Sequence, residues 1–295
     1  MRSYNERRLF IDMNKKEGVS MKTWFITGCS SGIGEGVAKA VLASGDRAIV
    51  TARDSSKLES FVKEYPHTAV ALSLDLNQQT SIIHAVEEGT KLFGGIDVLV
   101  NNAGYSYRGA VEEAETQEVD KLFQTNFFGP IELIKRILPQ MRRKQSGAII
   151  NLSSISAIKG IVGSGYYAAA KSALDSISEV LAMEIEPLGI KVMTVEPGAI
   201  RTRFNDTSLK ESAVFIDDYK ETAAKSRKEN LVNPNNQIGD PNKVGQVIVD
   251  LIEKTDYPRK ILLGSDAVSF ALETYQERLE EVKKWKTISL QTDYE

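Results

Sequence analysis

Tyr167 and Lys171 stand four residues apart in Gly165-Tyr166-Tyr167-Ala168-Ala169-Ala170-Lys171, a run of small residues and good helix formers. Both side chains therefore project from one helical face. A phenol titrates near ~10 in water, too high for easy proton exchange at neutral pH, and a fixed ammonium a few ångströms away favours the phenolate and lowers that value. The pair is a candidate proton-transfer device. The same spacing also arises by chance on solvated helices, so its meaning depends on the elements around it. Tyr166 is the competing phenol, but four residues after it stands Ala170, which cannot assist it.

From Lys22 onward, short β-rich runs alternate with helical stretches. Thr23 to Thr27, Arg47 to Ala52, Ala69 to Leu74, Asp97 to Val100, Ala148 to Leu152, Lys191 to Val195 and Lys260 to Leu263 read as strands, most of them almost continuously apolar. That is the pattern of a parallel sheet covered by helices on both faces. Helical patterning lies near Gly34 to Leu42, Lys57 to Tyr65, Thr80 to Phe93, Val119 to Met141, Tyr166 to Glu186 and Lys243 to Lys254. The expected fold is a doubly wound α/β sheet of seven mostly parallel strands in one domain, residues 22–264.

Ligands of such sheets bind at the carboxyl ends of the strands. The first strand ends there in Thr27-Gly28-Cys29-Ser30-Ser31-Gly32-Ile33-Gly34 and passes into a helix. Three glycines let the backbone turn tightly and approach a pyrophosphate, and the free N–H groups of the helix start supply donors. The loop lacks the Lys-Ser/Thr of a nucleotide-triphosphate loop, which removes kinase and ATPase readings.

Composition narrows the classes further. The 295 residues are 42% hydrophobic and carry a formal charge of -3 with mixed signs, which gives no reason to expect nucleic acid or an anionic membrane as a partner. Cys29 is the sole cysteine and His67 and His84 the only histidines, so no disulfide and no dedicated metal site are expected, and a reducing cytoplasmic setting fits. Residues 1–20 are polar and aperiodic and are expected to lie outside the fold. Lys16-Glu17-Gly18 can be encoded as a bacterial ribosome-binding site ahead of Met21, which suggests a start at Met21.

With sheet, glycine loop and Tyr-Lys pair together, the chain from about Lys22 to Leu263 resembles the short-chain dehydrogenase/reductase family, with its Rossmann-like fold. Asn101-Asn102-Ala103-Gly104 resembles the family's motif after the fourth strand, Ser154 its catalytic serine, and Asn126 the helix asparagine of its tetrad. Pro197-Gly198-Ala199-Ile200-Arg201-Thr202 resembles the segment that holds the nicotinamide amide. The resemblance implies that Tyr167 is the general acid/base and that Lys171 lowers its pKa and holds the nicotinamide ribose. It implies that Ser154 binds the substrate oxygen and that Asn126 binds, through its backbone, a water linking Lys171 to solvent. Ser153 is the fallback for Ser154, and a local helix distortion ahead of Gly129-Pro130 is the equal alternative for Asn126.

Thr27, Gly28, Ser30, Ser31, Gly32, Ile33, Gly34, Asn102, Ala103, Gly104, Pro197, Gly198, Ile200 and Thr202 would bind cofactor, with Leu76 and Asp75 at the adenine; Asp75 could equally be a helix N-cap. Ala52 and Arg53 stand where NAD-dependent members usually carry an acid, so NADP (NADPH) is expected and NAD is the alternative, unless Asp54 pairs with Arg53. Residues 203–237 would form a substrate lid with helical patterning from Ser208 to Lys228, and Tyr105, Tyr107, Val162, Gly163, Ile200 and Phe204 are pocket candidates for an apolar alcohol or ketone. Residues 265–295 form a C-terminal extension, helical over Asp266 to Lys286, with Phe270, Leu272, Tyr275, Leu279, Val282 and Trp285 on an inner stripe.

The expected function is NADP-dependent interconversion of a secondary alcohol and a ketone or aldehyde. A non-catalytic NADP(H) sensor, or a lyase or epimerase on the same fold, is the alternative. The resemblance also implies a homodimer or homotetramer.

Overall fold

A computed structural model describes residues 21–202, 204, 208–229 and 237–294. The expectations for residues 1–20, and for 203, 205–207 and 230–236 of the lid, lie outside the described residues.

All seven apolar runs become strands of one parallel sheet. They are β1 (Thr23–Ile26), β2 (Arg47–Ala52), β3 (Ala69–Ser73), β4 (Val98–Asn101), β6 (Gly147–Leu152), β7 (Ile190–Pro197) and β9 (Lys260–Leu263), in the order β3-β2-β1-β4-β6-β7-β9. The order reverses at β1, where Trp24 stands between Ala48 and Val98 and Ile26 between Val50 and Val100. Helices α1 (Gly32–Ala43), α2 (Glu59–Glu64), α3 (Gln79–Phe93), α4 (Thr116–Phe123), α5 (Gly129–Lys144), α6 (Gly165–Ile185), α7 (Lys225–Glu229) and α8 (Pro241–Glu253) surround the sheet or continue its lid.

The pleat sends alternate side chains to opposite faces. Trp24, Ile26, Val50 and Val100 meet Val37, Val41 and Ile248 of α1 and α8, while Phe25, Ile49 and Leu99 meet Ile82, Leu133 and Ile137 of α3 and α5. Each such fully buried side chain contributes about 1.5–3 kcal/mol relative to exposure. On the first face α1 and α8 touch backbone to backbone: a Cβ on Gly36 would lie 2.2 Å from the Pro241 carbonyl oxygen, and one on Gly245 2.3 Å from the Gly36 carbonyl carbon. This contact fixes α1, and with it the helix start that opens toward the strand ends.

Three expectations are corrected. The single helix expected over Val119 to Met141 is α4 and α5 joined by a π-turn at Gln124–Phe128, because Pro130 has no N–H to donate to the Asn126 carbonyl four residues earlier. The lid is not helical from Ser208. It begins as β8 (Leu209–Glu211), which pairs in parallel with β5 (Ser106–Arg108), and turns helical only from Asp217. An available strand edge overrides local helical patterning there. The C-terminal helix, α9 (Ser265–Ser289), turns Ala267, Ala271 and Thr274 toward the body, whereas Leu272, Tyr275, Leu279, Val282 and Trp285 face water, so the expected inner stripe, apart from the half-buried Phe270, lies outside.

Replacing Gly36 by valine should force α1 and α8 apart. Chemical unfolding should show a loss of about 1–3 kcal/mol or more, with the slope against denaturant unchanged.

Candidate active site

A crevice of about 640 Å³ runs along the carboxyl ends of the strands. Its floor is built by hydrogen bonds between the ends of β1 and β4. Thr27, itself buried, accepts at Oγ1 from the N–H groups of Asn102 and Ala103, both at 2.9 Å, while Asn102 Nδ2 donates to the carbonyls of Thr27 at 2.8 Å and Gly28 at 3.2 Å. Gly28 takes φ +74°, a left-handed value suited to glycine, and a Cβ on Gly34 would lie 2.3 Å from Asn102 Nδ2. Thr27 and Gly34 thus shape the loop from behind, whereas Gly28, Ser30, Ser31, Gly32 and Ile33 line the crevice with Ala103 and Gly104. The first N–H groups of α1 open beside this loop, a donor array suited to a pyrophosphate.

At the β2 end Arg53 lines the crevice. Asp54 caps its own short turn, accepting from Ser56 N at 3.1 Å and Ser56 Oγ at 2.7 Å. Burial, with the Glu118 carboxylate nearby, pushes the Tyr105 phenol up to about 12, and the Arg53 guanidinium pulls against that rise. Asp75 and Leu76 line the same end; the Asp75 carboxylate accepts from Asn77 N at 2.9 Å, holding a turn, while the N-cap of α3 is Gln78.

At the far end Tyr167, Lys171 and Ser154 line one wall. Tyr167 and Lys171 share a helical face, with Nζ 6.0 Å from the ring centroid, and Nζ donates to the Leu152 carbonyl at 2.7 Å. Burial dominates both groups: it pushes Tyr167 up to about 12, opposed by a hydrogen bond with Ser154, and pulls Lys171 down to about 8. The expectation that Lys171 holds the phenol below its ordinary value is therefore corrected: burial raises it, and the Ser154 hydrogen bond is what opposes the rise. Ser154 caps the turn at Ile155–Ala157, and Ser153 is turned to the Lys171 carbonyl at 3.3 Å, which favours Ser154 over its fallback.

Asn126, fully buried in the π-turn, accepts from Tyr105 N at 3.1 Å and donates to Tyr105 O at 2.8 Å. Its side chain clamps the loop after Gly104, and Pro130 leaves its carbonyl without the usual helical donor. Of the two readings of this residue, the local helix distortion is the one these contacts describe.

The segment Pro197 to Thr202 closes the crevice. Two residues that sequence reasoning missed hold it: Asp266 Oδ2 accepts from Ala199 N at 2.6 Å, and Gln237 accepts from Arg201 and from Thr202 N. Of the substrate candidates, Tyr105, Ile200 and Phe204 reach the crevice, Phe204 with its ring 6.0 Å from that of Tyr167. Tyr107 is buried beside Leu122 and bonded to Glu115, and in the neighbouring loop Ile161 and Ser164 line the wall in place of Val162 and Gly163. A row of carboxylates also holds the lid. Glu113 accepts from Ile216 N at 2.9 Å and pairs with Arg227 at 2.7 Å, and Glu115 accepts from Ala213 N at 2.9 Å.

The doubly wound sheet, a glycine-floored end of its crevice and a buried phenol-amine pair at the other end fit one class, a nicotinamide-dependent oxidoreductase of Rossmann type. Residues 22–213 match the sequence family described as short chain dehydrogenase, and the chain belongs to it. It is 32% identical over 270 residues to the oxidoreductase BOA17 of Botryotinia fuckeliana, covering 91% of this chain and 98% of that one. It is 35% identical over 241 residues to a 3-ketodihydrosphingosine reductase of Bacteroides thetaiotaomicron, covering 81% and 86%. A crystal structure of a short-chain dehydrogenase from Streptomyces avermitilis superposes with TM-score 0.85 at 37% identity, over 93% of this chain and 99% of that one.

Asn126→Ala should leave the Tyr105 N–H and carbonyl unpaired inside the protein. A loss of about 2 kcal/mol or more in unfolding free energy is expected, together with weaker dinucleotide binding by fluorescence titration.

Proposed function

We propose that this protein is an NADP-dependent oxidoreductase that interconverts a secondary alcohol and a ketone or aldehyde on an apolar small molecule, with Tyr167 as general acid/base. The observation that carries this reading is the Tyr167 phenol beside the Ser154 hydroxyl in the crevice wall, with the Lys171 ammonium one helical turn behind.

A nicotinamide dinucleotide, when bound, supplies or accepts the hydride. The glycine loop would hold its phosphates, Pro197 to Thr202 its amide, and Arg53 the adenosine 2'-phosphate that distinguishes NADP from NAD. Ser154 would donate to the substrate oxygen where negative charge develops. In reduction Tyr167 would give that oxygen its proton, breaking the phenol O–H bond as the alcohol O–H bond forms. A phenol raised to about 12 carries its proton at neutral pH, the form that donates in reduction. Lys171, lowered to about 8, can exchange a proton near neutrality and so restore the phenol. Phe204, Ile161 and Tyr105 give the substrate end an apolar wall, and a ketone reductase among the relatives suits a carbonyl substrate.

The same reading expects a homodimer or homotetramer, supported by exposed Ile177, Val180 and Met183 along α6. A free, buried thiol at Cys29 suits a cytoplasmic setting.

Purified protein with NADPH and a panel of ketones and aldehydes should consume NADPH, and Tyr167→Phe should cut the rate about 100-fold or more with binding retained. Tight NADPH binding without turnover across the panel would favour a sensor instead. Arg53→Ala should raise KM for NADPH about tenfold and leave KM for NADH unchanged. The pH profile has a definite sign. For reduction, kcat/KM should be level below about 8 and fall above it as Lys171 deprotonates, and for oxidation it should rise over the same range.

A further inference from the structure

We propose that α9 docks on α9 of a second copy of this chain, the two helices packing antiparallel about a two-fold axis between Leu279 and Val282. Val268, Leu272, Tyr275, Leu279 and Val282 follow one another in alternating steps of four and three, the spacing of a helix-pairing seam. Their exposures are 42%, 66%, 45%, 48% and 68%, so the body of their own chain does not cover them. The body takes the neighbouring face, through Ala267, Ala271 and Thr274, and the last hydrogen bond to it is from the Arg278 guanidinium to the Ile158 carbonyl.

Beyond Arg278, among the described residues, the polar ties of the helix are internal, such as Lys283 to Glu280 at 2.9 Å and Ser289 Oγ to the Trp285 carbonyl at 3.2 Å. A further stretch of about 16 Å thus runs on with every residue to its end exposed. That stretch continues a helix of 25 residues anchored at its other end, and its apolar positions meet water on every side.

Charge selects the partner and its direction. Glu273, Glu277, Glu280 and Glu281 precede Lys283, Lys284 and Lys286, so the helix carries an acidic block followed by a basic one. Two copies side by side in parallel would set like charges against like. Antiparallel copies about this axis bring Leu279 level with the partner's Val282, Tyr275 level with its Lys286 and Glu277 level with its Lys284, an isologous contact in which the outer charges are complementary. A membrane surface fits less well, because with Arg278 the stretch from Glu273 to Lys286 balances four acidic against four basic side chains, and interfacial helices are rich in Lys and Arg on the polar face. This seam is separate from the apolar face of α6, and two such faces would allow a dimer of dimers.

Single cysteines read the geometry directly, because the one native thiol, Cys29, is fully buried. With copies antiparallel about this axis, residues 282 of the two helices lie about 4.5 Å apart along the axis and residues 273 about 22 Å apart. In the full chain, Val282→Cys should therefore give a covalent dimer with a short bismaleimide, and Glu273→Cys should not. Leu279→Glu should halve the mass of the assembly by light scattering and abolish cross-linking in the Val282→Cys background, while NADPH binding persists. No cross-link at 282, cross-links at both positions, or an unchanged mass for Leu279→Glu would each overturn the proposal. Co-sedimentation of the parent with phosphatidylcholine vesicles, without the cross-link, would overturn it in favour of a lipid surface.

Discussion

The exclusion of water from the Lys171 and Tyr167 side chains is the constraint on which the site depends. An ammonium in that wall loses most of its hydration and is offered the Leu152 carbonyl in exchange. Burial therefore disfavours the charged form of each group, raising the phenol and lowering the amine. The phenol thus holds its proton more firmly than in water, and the amine behind it titrates closer to neutrality. A surface pair at the same helical spacing would be solvated and screened and would undergo neither shift.

Keeping that wall dry while leaving it open to ligand falls to a few backbone irregularities. The π-turn at Gln124–Phe128 brings the Asn126 amide against Tyr105 and so fixes the loop that carries Gly104. The ties from Asn102 to Thr27 and Gly28 bind the ends of β4 and β1 into one floor. On the opposite rim, Asp266 and Gln237 supply acceptors to the N–H groups of Ala199 and Thr202. Each is a polar contact between distant parts of the chain at a place where regular secondary structure stops.

This division explains what could be read from the residues alone. The seven strands were legible because strands covered on both faces are nearly continuous apolar runs, and the glycine loop because glycine alone suits the turn at Gly28 and the close approach at Gly34. Contacts between segments left no period to read. β5 and β8 are three residues each and define themselves only by pairing, so the lid read as a helix. Val162 and Gly163 are neighbours of the residues that line the wall, a slip no local pattern in an aperiodic loop could prevent. Asp266 gave no signal, because its partner Ala199 lies on another strand connection. The apolar positions of α9 were visible in the spacing, but which side met the body was decided by the small residues Ala267 and Ala271.

The backbone contact of Gly36 with Pro241 and Gly245 has a consequence for the birth of the molecule. α1 carries the glycine-loop end of the crevice near the start of the chain, yet the helix that locks it in place is synthesised after six of the seven main strands. While the ribosome is still extending the chain, β1 and β2 can cover Val37 and Val41, but nothing yet covers the α1 face at Gly36, and the apolar surface that Val244 and Ile248 later seal stays open to chaperones or to neighbouring nascent chains. Translation has to deliver nearly the whole polypeptide before its earliest helix can settle.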